Sequence, residues 1–313
     1  MKKAFTLVLA CFLVLSAAVG CANNTSNPST SPPQNSPSSS SASPTNSTGN
    51  QLPEETSGDN FDADRVIAVY TREDGSGTRD AFVSITGVGA DMYVEAVVIS
   101  ETNEILTKVE ENEFAISYVS VGSLSDRVKA LSIDGVFPSN ETIMDGSYKL
   151  QRPLLVCVNE ENATDELVQD FIAFMLSAEG QEISATRWTK VDLNAPTYSP
   201  GGMNGTLKVG GSTSVEPLMQ ALRQAYILQN PGVEIEISGG GSGAGISEAV
   251  SGVLNIGMSS RALRDDEKAN LTDYDIALDG VAVIVNPANP ASGMTIEQVK
   301  TIFTGEVTRW SEA

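Results

Sequence analysis

Along this chain the apolar and polar positions fall into three zones. Residues 4–19 are almost continuously apolar, residues 22–60 carry almost nothing apolar, and from Phe61 short apolar runs alternate with longer amphipathic stretches. Runs at 66–70, 113–119, 128–133, 154–158, 206–209, 233–237, 253–257 and 276–285 read as strands. One of them, 154–158, is apolar without interruption, the pattern of a strand buried on both faces, and 276–285 reads as a long buried strand. A helical pattern spans 163–183, with Leu167, Phe171, Phe174 and Met175 on one stripe. Further helices start near Thr78 and at Thr295, whose hydroxyl suits a cap. This alternation of strands and helices predicts an α/β fold.

Four of the runs end in small hydroxyl residues or glycines. The run 66–70 leads into Thr71-Arg72-Glu73-Asp74-Gly75-Ser76-Gly77-Thr78-Arg79. The run 206–209 leads into Gly210-Gly211-Ser212-Thr213-Ser214-Val215-Glu216-Pro217, where Pro217 suits the start of a helix. The run 233–237 leads into Ser238-Gly239-Gly240-Gly241-Ser242-Gly243-Ala244-Gly245, and 253–257 leads into Met258-Ser259-Ser260-Arg261. Each reads as a strand, a tight turn and a helix start. The first N–H groups of a helix lack intrahelical partners and sit at the positive end of its dipole, so such a turn binds an oxyanion. Arg72 and Arg261 add planar forks for two oxygens. One such turn is an ordinary capped loop; four in one chain point to donors converging on a small tetrahedral anion.

On these four turns the chain resembles the PstS family, the phosphate-binding proteins of bacterial ABC-type phosphate importers. Weaker matches are Ile302-Phe303-Thr304-Gly305-Glu306 with Trp310, Ile116-Ser117-Tyr118-Val119, and Ser177-Ala178-Glu179-Gly180-Gln181, so the likeness covers residues 62–313. It implies a two-lobe periplasmic-binding-protein fold of type II that closes on its ligand by hinge motion. One lobe would be built from 62–153 and 287–313 and the other from 158–285, with 154–158 and 281–285 as the crossing strands. Arg72, Ser76, Gly77 and Thr78 would then face Thr213, Ser214, Ser242, Ser260 and Arg261 around phosphate, with Asp74 orienting Arg72. Some relatives place an Asp in the turn matching Ser259-Ser260-Arg261, to accept the proton of hydrogen phosphate. Here Ser260 and Arg261 stand there, which puts phosphate-over-sulfate selection in question and leads us to expect Arg261 on the anion itself. Asp279 reads as structural.

The order of the motifs departs from the family. Residues 61–200 match the latter half of the family module and 201–313 the former half, so the chain reads as a circular permutation. The breaker-rich loop 194–205 would join the family's usual ends, an inexpensive change because domain termini often lie close together. Two other readings stay open: a sensory or surface protein of the same fold, and a truncated tandem whose half-modules pair only as a swapped dimer. The permutation reading predicts a monomer.

Composition narrows the function. Lys2 and Lys3 precede the apolar run 4–19, which is shorter than the about 20 residues of a membrane span. The segment ends Ala18-Val19-Gly20-Cys21, like a lipoprotein signal that leaves Cys21 as the lipid-bearing first residue. The Ser, Thr, Asn and Pro of 22–60 would make a flexible tether with a reach of about 35 Å. This predicts a receptor on the outer face of the cytoplasmic membrane, with inorganic phosphate and the permease subunits of an ABC transporter as partners. Cleavage before Cys21 removes two lysines and leaves 17 basic against 40 acidic residues, −23 in all, which argues against nucleic acid. The chain has no histidine, so His-based triads and His metal ligands are excluded. It lacks a GxxxxGK[ST] loop, and Gly239, Gly241 and Ala244 mimic a dinucleotide fingerprint only within a Gly-rich run. No enzyme, metal or cofactor is expected. Cys157, in an apolar run, reads as a small buried hydrophobe.

Overall fold

The computed structural model describes residues 61–313, so the apolar leader, Cys21 and the polar tract of 22–60 lie outside the described residues. The first part of the chain forms β1 (Ala68–Arg72), α1 (Gly77–Thr86), β2 (Val97–Ile99), α2 (Thr102–Glu110), β3 (Ala115–Ser120), β4 (Lys129–Ala130), β5 (Ser132–Ile133) and α3 (Asn140–Met144). Then come β6 (Gln151–Val158), α4 (Glu166–Met175), α5 (Ala178–Ser184), β7 (Asn204–Gly211), α6 (Glu216–Gln229), β8 (Gly232–Gly239), α7 (Ser242–Val250) and β9 (Ile256–Ser259). The last are α8 (Asp265–Lys268), β10 (Thr272–Val285), β11 (Gly293–Met294) and α9 (Ile296–Thr304).

The main sheet runs β2-β1-β3-β10-β6-β9-β7-β8, with β4 beside β10. β1 lies parallel to β2 and β3, and β7 parallel to β8 and β9, while β10 runs antiparallel to both β3 and β6. The two largest of the apolar cores among the described residues flank this path. Phe82, Tyr118, Ile302 and Phe303 pack in the first lobe, and Phe171, Phe174, Leu222 and Tyr226 in the second. Each such buried side chain contributes about 1.5–3 kcal/mol.

β10 belongs to both lobes. Its residues 272–280 pair with β6 and its residues 281–285 pair with β3. Val281, Val283 and Val285 therefore sit in the first lobe's core. Residues 281–285, expected as a crossing strand, thus pack on the first lobe's side, and the chain changes lobe near Asp279 and Gly280. β6 changes lobe beside it, since Leu150 packs in the first core and Leu154 in the second. Between these passages lies a buried ion pair, Arg152 with Asp279. Arg152 donates from Nε and Nη2 to Asp279 Oδ2 at 3.1 and 2.9 Å. The Ser120 hydroxyl and the Gly122 N–H donate to the other carboxylate oxygen at 2.9 and 3.4 Å. Burial pushes the Asp279 carboxyl up, and these donors oppose it. Asp279 is structural, as the sequence suggests.

The single helix expected over 163–183 is two. Ser177 interrupts it: its hydroxyl donates to the Phe174 carbonyl at 2.7 Å and accepts from the Gly180 N–H at 3.2 Å, capping α5. Gly180 permits the sharp turn, because a Cβ there would stand 2.2 Å from the Phe174 carbonyl oxygen. Cys157 is fully buried, and burial pushes its thiol up to about 12.

The two ends of the described region meet. The Ile67 N–H donates to the Thr308 carbonyl at 2.9 Å and the Ser311 N–H to the Ala63 carbonyl at 2.7 Å, and Val66 bridges Arg309. The loop after α5 is also held. The Ala178 N–H donates to the Pro196 carbonyl at 2.8 Å, and the Tyr198 hydroxyl to Asp170 at 2.5 Å.

Candidate functional site

Each hydroxyl-rich turn sits between a strand of the main sheet and the helix that follows. Ser76 caps α1, accepting from the Arg79 N–H at 3.4 Å. Thr213 and Ser214 lie between β7 and α6, which carries Pro217 in its first turn. Ser242 is the first residue of α7, and Gly241 before it takes a φ of +88° that favours glycine. Ser260 follows β9 directly. The side chains of Arg72, Ser76, Thr78, Thr213, Ser214, Ser242 and Ser260 are all buried.

The turns meet across the two lobes. Thr78 Oγ1 and Ser214 Oγ are 2.8 Å apart, and Arg72 Nη2 donates to Thr213 Oγ1 at 3.1 Å. The Gly243 N–H donates to the Gly75 carbonyl at 2.9 Å. Within the second lobe the Ser212 hydroxyl donates to Ser260 Oγ at 2.9 Å, and the Ser260 N–H donates to Ser242 Oγ at 3.1 Å. Gly77 is glycine for lack of room: a Cβ there would lie 2.3 Å from Ser242 Oγ and 2.8 Å from Ser260 Oγ. The structure thus brings together Arg72, Ser76, Gly77, Thr78, Thr213, Ser214, Ser242 and Ser260, eight of the nine residues singled out from the sequence.

Arg261 is the ninth, and its guanidinium lies on two carboxylates beside the cluster. Its Nη1 and Nη2 both donate to the Glu267 carboxylate at 2.7 Å, and its Nε lies 2.9 Å from Asp80 Oδ2. Ser259 sets this direction locally, accepting from the Arg261 N–H at 3.2 Å and donating to the Arg261 carbonyl at 2.8 Å. The Glu267 hydrogen bonds hold the Arg261 guanidinium above its ordinary range, and Arg261 holds the Glu267 carboxyl below its own.

Arg72 is oriented by Glu73, not by Asp74. Its Nε and Nη2 donate to the two Glu73 oxygens at 2.8 and 2.9 Å, while Asp74 pairs with Arg79. Nη2 also donates to the Ser100 carbonyl at 2.7 Å and Nη1 to Thr102 Oγ1 at 3.3 Å. Thr102, first residue of α2, lies 3.2 Å from Thr213 Oγ1 and joins the site as a residue that the sequence reading passed over. Its signal was present: Val97-Val98-Ile99 runs into Ser100-Glu101-Thr102, an apolar run ending in hydroxyls like the other four. Below Arg72, the Tyr118 hydroxyl shares a hydrogen bond with Thr71 at 2.8 Å and accepts from the Arg72 N–H at 3.3 Å. Burial pushes the Tyr118 phenol up to about 12, so it stays a neutral donor and acceptor.

The arrangement offers helix-start N–H groups, hydroxyls and one fixed guanidinium, all desolvated. This is chemistry for holding a small oxyanion. Two α/β lobes joined by paired strands, with such a site between them, define a ligand-binding protein of the periplasmic-binding class.

A family model described as the PBP superfamily domain matches residues 50–179 and 196–313. The phosphate-binding protein PstS 2 of Streptococcus pneumoniae is 40% identical over 259 residues, spanning 80% of this chain and 88% of that protein. A crystal structure of a phosphate ABC transporter phosphate-binding protein from the same species superposes with a TM-score of 0.66 at 40% identity, covering 79% of this chain and 99% of that one. The phosphate-binding protein PstS of Bacillus subtilis is 32% identical over 112 residues, 35% of this chain and 37% of that protein. The chain belongs to the PBP superfamily and, within it, to the PstS phosphate-binding family.

Proposed function

We propose that this protein is an extracytoplasmic receptor that binds inorganic phosphate and delivers it to the permease subunits of an ABC importer. The observation that carries this reading is the convergence, from two lobes, of Arg72 with the hydroxyls of Thr78, Thr213, Ser214 and Ser242 at three helix starts and of Ser260 at the end of β9. Phosphate would sit among Arg72, Ser76, Gly77, Thr78, Thr213, Ser214, Ser242 and Ser260, with Thr102 beside Arg72. The relatives' names support phosphate as the ligand and a transporter as the destination. The chain's strong negative charge opposes an anion at long range, but it is screened over about 8–10 Å in physiological salt, so the desolvated local donors dominate.

In the same reading Cys21 carries a lipid, residues 22–60 tether the receptor to the outer face of the cytoplasmic membrane, and the protein works as a monomer. A circularly permuted order is supported by two observations. The pairing of 63–67 with 308–311 brings together the ends that an unpermuted chain would run through. The match to the Bacillus subtilis protein covers about a third of each chain, whereas the Streptococcus pneumoniae relative aligns nearly throughout.

Calorimetry of the mature chain tests the reading. Phosphate is expected to bind one per chain, on a sample whose mass in solution is that of a monomer. Absence of binding at millimolar phosphate would refute the assignment, and binding only by a dimer would refute the monomer. Sulfate, titrated in parallel, reports selectivity at a site whose Arg-linked carboxylate is Glu73, both oxygens of which already face Arg72.

A further inference from the structure

A second set of contacts joins the lobes beside the hydroxyl cluster. Asp80 lies on the first turn of α1, four residues after the Ser76 cap. Its Oδ2 accepts from Arg264 Nη2 at 3.0 Å and stands 2.9 Å from Arg261 Nε. Both arginines belong to the second lobe, between β9 and α8. Arg261 is held from behind by the Glu267 carboxylate, which also accepts from the Arg264 N–H at 2.8 Å. Arg261 further donates to the Ala262 carbonyl at 2.9 Å. The contacts border a cleft of about 450 Å³ lined by Asp80, Arg152, Arg261 and Arg264 among others. Two arginines here balance two carboxylates, so the cluster offers little net charge to a second anion. What it does offer is a charge link between lobes: a close, partly buried approach of Arg261 to Asp80 and one hydrogen bond, from Arg264.

We propose that Asp80 is a positioning residue for anion binding, a latch that ties the α1 turn to the opposite lobe, and that Arg261 is its partner and not an anion ligand. The proposal rests on the phosphate reading above. Ser76, Gly77 and Thr78 ride on the same helical turn as Asp80, so the latch fixes the angle at which their donors meet Thr213, Ser214 and Ser242. Because Glu267 already holds Arg261 in place, closure immobilises little further side-chain freedom at that arginine. Arg264, 61% exposed, supplies a weaker, salt-sensitive contact to the same oxygen.

The test separates the latch from a direct role for Arg261 by the sign of one effect. If Arg261 were an anion ligand restrained by Asp80, then Asp80→Asn would free it and phosphate would bind as tightly as before or more tightly. The latch predicts the reverse: Asp80→Asn weakens phosphate by about tenfold, mainly through faster release in stopped-flow measurements. Arg264→Gln weakens it less, and adds little in the Asp80→Asn background, because both act through one oxygen. A ligand-free measurement makes the latch independent of the anion's identity. Distances between spin labels on the two lobes should broaden to longer values in Asp80→Asn, with the thermal midpoint little changed. An unchanged distance distribution, or unweakened phosphate binding, would overturn the latch. Broadened distances in a protein that binds no phosphate at all would overturn the functional reading and leave the latch standing.

Discussion

Replacing Gly77 with Ala should separate binding from folding. Gly77 is the first residue of α1 and its backbone is helical. Ala is the better helix former by about 1 kcal/mol in a helix interior, so the substitution does not weaken α1 itself. Its Cβ, however, would meet Ser242 Oγ at 2.3 Å, Ser260 Oγ at 2.8 Å and Ser242 Cβ at 3.0 Å, all from the opposite lobe. Rotating the Ser242 hydroxyl away sacrifices its bond from the Ser260 N–H and still leaves the Cβ contact. Relief therefore requires the lobes to part, and restoring an ordinary 3.4 Å contact opens the closest approach by about 1 Å. That stretches the Thr78–Ser214 and Arg72–Thr213 contacts, now 2.8 and 3.1 Å, beyond hydrogen-bond range. An anion spanning the lobes then loses at least one hydrogen bond of the charged kind, about 1.5–3 kcal/mol, or roughly 10- to 150-fold in affinity. Calorimetry with phosphate gives the affinity, and thermal unfolding without ligand gives the stability. Gly77→Ala should bind weakly and unfold no earlier than the parent. Binding within threefold of the parent would refute the reasoning, since the lobes would then meet without needing that space.

Two further outcomes follow from charged groups away from the hydroxyls. Asp279→Asn should cost about 3–5 kcal/mol in urea unfolding, because it leaves the buried Arg152 charge without its partner where the chain passes between lobes; Arg152→Met added to it should recover part of that loss. Glu267 sets a pH dependence: Arg261, then the Arg264 N–H, hold its carboxyl below the ordinary value of 4.5, so its contribution is complete above that value and fades as pH falls through the depressed one. The thermal midpoint should accordingly decline less steeply below pH 4.5 in Glu267→Gln than in the parent; parallel curves would contradict the assignment.

The sequence carried much of this architecture, and its limits have physical causes. Apolar runs exposed the strands because a segment buried on both faces needs sustained hydrophobicity, as 154–158 of β6 and 281–285 of β10 have. The strand-to-turn passages exposed the donors because small residues are needed where the two lobes approach, as at Gly77 against Ser242 and at Gly241 against the Gly75 backbone. What stayed hidden depended on partners distant in sequence. The split at Ser177 turns on a hydroxyl choosing the backbone of its own turn, which periodicity cannot register. Arg261 stood in the right motif, yet its direction is set by Glu267 six residues on and by Asp80 in the other lobe. Asp74 was the expected partner of Arg72, but the turn gives Glu73 to Arg72 and Asp74 to Arg79. Likewise, where β10 changes lobe follows from its exchange of neighbours, not from its own composition.

The most direct test of the central claim is a crystal structure of the protein grown with phosphate. Phosphate oxygens are expected within hydrogen-bond distance of Arg72, of the α1 start at Ser76 to Thr78, and of Thr213, Ser214 and Ser242, with Arg261 still on Glu267 and Asp80. Phosphate bound instead to Arg261 in the neighbouring cleft, or absent from the hydroxyl cluster at saturating concentration, would contradict it.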